Sequence, residues 1–78
     1  MVKETEGNII SSHIARIGKG DGKYGYIGIE TPDSTHLKMK VDMYTTYETL
    51  ERGEYVVVRY DALGNTGILV AKEIKRRK

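Results

Sequence analysis

At 78 residues the chain has room for one hydrophobic core, and with no cysteine that core has no disulfide staples, so stability must come from an efficient closed architecture. The net charge of +2 does not by itself argue for a nucleic-acid partner, and it is unevenly placed: five cations against one acid in residues 72 to 78 give +4 there and leave −2 for residues 1 to 71. The acid-bearing start Met1-Val2-Lys3-Glu4-Thr5-Glu6 and the lack of any long apolar run read as a soluble, cytoplasmic protein without a membrane contact, and the two histidines fit no zinc spacing, so neither metal nor cofactor is expected.

Residues 1 to 7 read as a flexible N-terminus, residues 8 to 75 as one domain and residues 75 to 78 as a basic tail. The first apolar run, Asn8 to Ile17, carries the doublet Ile9-Ile10, which breaks alternation as a long, bent or bulged strand does. Gly18-Lys19-Gly20-Asp21-Gly22 stops it. Lys23 to Glu30 then alternates, with Ile27 and Ile29 on one side and Tyr24, Tyr26 and Gly28 on the other. After the turn residues Thr31-Pro32-Asp33-Ser34, Thr35 to Met43 sets Leu37, Met39, Val41 and Met43 against His36, Lys38, Lys40 and Asp42, the pattern of a half-buried strand.

Thr45 and Glu48 have capping-box spacing and Gly53 is a left-handed stop, which predicts a two-turn helix with Tyr47 and Leu50 on one side. Tyr55 to Tyr60 is β-branched and aromatic, fit for a strand covered on both faces. The loop Ala62 to Gly67 exposes Leu63 unless that side chain folds back. Ile68 to Ile74 is the last strand, with Ile68 and Val70 opposite Leu69 and Ala71.

This order is three strands, a short helix and two strands, an all-β chain that has to close on itself to hide its edges. Over residues 8 to 75 it resembles the five-stranded oligonucleotide/oligosaccharide-binding (OB) barrel, loosely that of translation-initiation and cold-shock factors, although the aromatic RNA-binding consensus of the cold-shock family is missing. The alternative is a Src-homology-type small barrel, in which the capped segment is a single 3₁₀ turn.

The resemblance implies a ligand lying across the second and third strands, between the loops that join strands one to two and four to five. Alternation puts Tyr24, Tyr26, His36, Lys38 and Lys40 on that face, rings for stacking unpaired bases beside ammonium groups for phosphates. Lys19 and Lys23 at the glycine loop and Arg59 on the fourth strand complete the candidate set. The bland alternative is a surface on which the tyrosines pair across strands with the lysine stems. Gly-Lys-Gly-Asp-Gly-Lys-Tyr-Gly fails as a phosphate cradle, because Gly22-Lys23 leads into a strand without a following serine or threonine. Ser11, Ser12 and His13 are consecutive on a strand, a poor geometry for a nucleophile and its base, so no enzyme activity is expected. The expected partner is single-stranded RNA or DNA, RNA ahead. A protein partner, docked on a strand edge or the Leu63 loop, is the alternative, and an oligosaccharide rests on fold analogy alone.

Overall fold

The structure is a computed structural model and describes residues 2–16 and 23–77. Six strands run through them: β1 (Lys3–Arg16), β2 (Lys23–Glu30), β3 (His36–Val41), β4 (Thr46–Tyr47), β5 (Tyr55–Ala62) and β6 (Leu69–Arg76). Five of them close a barrel. β1 pairs antiparallel with β2 and β5, β2 with β3, and β5 with β6, while β3 meets β6 in parallel through Met39–Leu69 and Lys40–Val70. The two-residue β4 lies along β6 beyond that junction. No helix among the described residues is long and apolar enough to cross a membrane.

The length of β1 lets one strand serve two neighbours. Its first residues, Lys3 to Asn8, pair with β5, and Asn8 to Arg16 pair with β2. The ladder thus begins at Lys3, five residues before the expected start at Asn8: the polar run Lys3 to Gly7 contributes backbone hydrogen bonds to the valine-rich β5, which apolar patterning does not register. The Ile9-Ile10 doublet is a bulge, with a register shift between Ile9 and Ser11. Ile9 enters the core while Ile10 stays 38% exposed. On the far side of the bulge β1 runs so close to β2 that a Cβ on Gly25 would overlap the His13 carbonyl oxygen, so this position admits only glycine.

Ile9, Ile27, Ile29, Met39, Val41, Val56, Val58, Ala71 and Ile74 fill the interior, with Leu37, Tyr47, Leu50 and Tyr60 packed against them. Inward alternation on β3 ends at Val41. Met43, expected inside, is 69% exposed, because the strand stops two residues earlier and the chain turns out of the wall.

The expected helix is replaced by extended chain. Glu48 donates its N–H to the Ile74 carbonyl at 2.9 Å, and its Oε1 accepts the Arg76 N–H at 2.7 Å. The Thr45 hydroxyl donates to the Ala71 carbonyl at 2.7 Å and accepts the Asp42 N–H at 3.1 Å. Both members of the capping-box pair therefore serve β6 and the turn before β4. A segment this short gains little as an isolated helix and more from satisfying the rim of β6. Gly53 does adopt the left-handed conformation, at φ +93°, and donates its N–H to Ile9 at 2.8 Å.

Thr45 is 7% exposed, so its hydroxyl has no water to replace these partners. Thr45→Val leaves the Ala71 carbonyl and the Asp42 N–H unpaired and lowers stability by about 1–3 kcal/mol in urea unfolding, while Thr45→Ser retains most of it.

Candidate functional site

The outer surface of β1, β2 and β3 is one continuous wall whose register decides which side chains meet. Across β2 and β3, Tyr26 stands opposite Lys40, Gly28 opposite Lys38 and Glu30 opposite His36. Residues opposite each other share a face, so the tyrosines and lysines point outward together. The Lys38 ammonium lies 4.6 Å from the Tyr26 ring centre and the Lys40 ammonium 4.8 Å from that of Tyr24. Each lysine thus covers the ring one diagonal step away, and the two pairs repeat along the strands.

The Lys40 pKa is raised above its ordinary value of 10.5, chiefly by a side-chain hydrogen bond with Tyr24, which outweighs an opposing desolvation; Coulombic contributions from Tyr24, Tyr26 and Asp42 are each smaller than either. His36 sits at the edge of the wall with Nε2 2.9 Å from Glu30 Oε2, its ring engaged by a carboxylate. The loop into β6 borders the other side. Tyr26, Lys38, Gly67, Ile68 and Leu69 line an open hollow of about 330 Å³. A larger hollow of about 370 Å³, lined by Thr5, Thr31, Pro32, Asp33 and Thr35, has neither a cation nor an aromatic ring in its lining.

Arg59 is exposed on the opposite wall, in register with Glu4 of β1 and Glu73 of β6, because β5 faces away from β2 and β3. Alternation identified it as outward but could not say on which wall. Lys23 opens β2 opposite Arg16, and Lys19 lies outside the described residues. The basic end of the chain enters β6 as far as Arg76; Arg77 meets Glu6 and Arg76 meets Glu54 at 3.6 Å, both acids of the body, while Lys75 pairs with Glu73 of the same segment at 3.8 Å. Such exposed pairs contribute about 0–1 kcal/mol each.

Sequence patterning weighs His13 for zinc and for catalysis but does not assign it to this face. His13 is exposed and directly opposite Tyr26 from the β1 side, with Ala15 opposite Tyr24. Treating the isoleucine doublet as a bulge and continuing alternation through Ser11, His13 and Ala15 places it there.

Tyr24→Phe removes the hydrogen bond to Lys40 and brings that pKa back toward 10.5, read by NMR titration of the lysine side chain. Since the folded value is the higher one, the bond's contribution is complete below 10.5 and fades as pH rises through the raised value, so the variant's stability difference narrows in alkali.

No family model, curated protein or solved structure matches this chain.

Proposed function

We propose that the chain is an OB-type barrel that binds single-stranded nucleic acid on the β1–β2–β3 wall, RNA ahead of DNA. Support for the OB assignment lies in the connectivity: a long bulged first strand shared by both neighbours, and parallel closure of the third strand on the last. The extended segment in place of a helix departs from the usual pattern. The reading rests on one observation, the outward pairing of Lys38 with Tyr26 and of Lys40 with Tyr24 on adjacent strands. Two rings on one strand two residues apart are about 6.6 Å apart along it, a spacing that presents successive platforms to an extended strand of bases. The ammonium groups over them supply counter-charge for phosphates. Ser11 and His13, bordering the rings, have groups able to bond a ribose 2′-hydroxyl, which favours RNA.

Leu63, 48% exposed, and Ile68, 39% exposed, lie in the bordering loop and support the second reading, a protein-docking module without nucleic acid. Retention of a partner from nuclease-treated lysate, together with no affinity for oligonucleotides, is the outcome that reading requires.

Fluorescence anisotropy with a labelled 12-nucleotide strand tests the first. Tyr24→Ala with Tyr26→Ala weakens binding by about 30-fold or more, taking the lower limit of ~1 kcal/mol per stacked base. With three to five phosphates neutralised, log affinity falls against log salt with a slope of about −2 to −3.5, and Lys38→Gln with Lys40→Gln reduces it by about 1.4. Unchanged affinity in the tyrosine variant removes this wall from the function.

A further inference from the structure

The turn after β3 is an excursion from an otherwise continuous ladder. Lys40 pairs with Val70 and Thr46 with Glu73, so five residues, 41 to 45, stand against two, 71 and 72, on β6. The three surplus residues leave the wall as the turn Asp42-Met43-Tyr44, closed behind by the buried Thr45. The turn carries the two most exposed large apolar side chains among the described residues, Met43 at 69% and Tyr44 at 79%.

The excursion is held firmly. Asp42 Oδ1 accepts the Tyr44 N–H at 2.9 Å, the Asp42 carbonyl accepts the Thr45 N–H at 3.1 Å, and the buried Thr45 hydroxyl ties the turn to Ala71. An aromatic ring on a pre-ordered backbone loses little conformational freedom when it binds. Its location matters as much. β3 leaves the wall at Val41, whose partner on β2 is Gly25, so the turn emerges at the Tyr24 end of the ring-bearing face. Lys72, exposed, occupies the two-residue stretch of β6 opposite the excursion.

We propose that Tyr44 is a third stacking ring for the same single strand, beyond Tyr24, with Lys72 as the cation beside it. This rests on the nucleic-acid reading above and extends its track from two bases to three. The Tyr26 and Tyr24 units each combine a ring with a lysine, and where the wall ends the register sets the ring-bearing turn against the stretch of β6 that holds Lys72. A ring held in water at this end of a basic, aromatic track matches a base in an extended strand better than an apolar protein surface, because the stretch of β6 in register with the turn carries the exposed cation Lys72.

The probe is 12-nucleotide oligouridine, followed by anisotropy, with thermal unfolding as a check on folding. Tyr44→Ala is expected to weaken binding about 5- to 150-fold, the range for one stacked base, with its unfolding midpoint unchanged. Tyr44→Phe binds within twofold of the wild type, and Lys72→Gln reduces the salt slope by about 0.7. Unchanged affinity in Tyr44→Ala, alongside the loss in the Tyr24, Tyr26 double variant, overturns the third ring and leaves the two-ring face standing. No affinity in the wild type overturns both. A free protein that is dimeric by sedimentation and becomes monomeric on Tyr44→Ala, with oligouridine affinity unchanged, assigns the turn to a second copy and overturns the proposal.

Discussion

The parallel contact between β3 and β6 is the constraint on which the rest of the molecule depends. It consists of two register pairs, Met39–Leu69 and Lys40–Val70, yet it turns an open sheet into a barrel. Without it β3 and β6 would both be edges, and Met39, Val41 and Ile74, which have no measurable exposure, would lose part of their cover. Closure also fixes the sign of alternation. Once Met39 is committed to the interior, Lys38 and Lys40 are committed to the outside, and the antiparallel register carries the same decision to Tyr24 and Tyr26.

The same contact explains the segment that follows. Chain leaving β3 is already beside β6, so the cheapest way to satisfy β6's rim is to continue along it, as β4 does through Thr46 and Tyr47. The two paths differ in length, and the surplus can only leave the wall. Met43 and Tyr44 are consequently in solvent, and Thr45, bonded to the Ala71 carbonyl, closes the gap behind them. Tyr47 and Leu50 still pack on the core, as a helix would have had them do, but from extended chain.

What the sequence disclosed and what it concealed divide along the range of the interactions. Period-two alternation is local, so the outward set Tyr24, Tyr26, Lys38 and Lys40 and the inward set Ile27, Ile29, Met39 and Val41 were legible from β2 and β3 alone. The isoleucine doublet likewise announced a bulge. Decisions made by distant partners were not legible. Thr45 and Glu48 have a helix-start spacing, and only the unsatisfied groups of β6, some 26 to 28 residues away, redirect them. Met43 continues an apolar period that the excursion cuts off. Lys3 to Gly7 offers no apolar pattern because its contribution to β5 is made by the backbone. Arg59 points outward as alternation requires, but which wall it occupies follows from barrel closure and its place between Glu4 and Glu73.

Whether lysine-covered tyrosines are mere surface or a platform turns on two magnitudes. A cation over an exposed ring is worth about 0.5–1 kcal/mol, and a base stacked on a ring about 1–3 kcal/mol. A base arriving at Tyr24 or Tyr26 therefore gains more than the lysine loses, even if it must take the face the ammonium occupies. The displaced ammonium is not stranded, since the phosphate that accompanies the base offers it a stronger partner than a ring quadrupole. In the free protein the lysines shield two aromatic side chains that would otherwise add to an exposed apolar patch. In the complex proposed above, one arrangement would serve both states: the cation covers the ring in the free protein and would move a short distance to a phosphate of the bound strand.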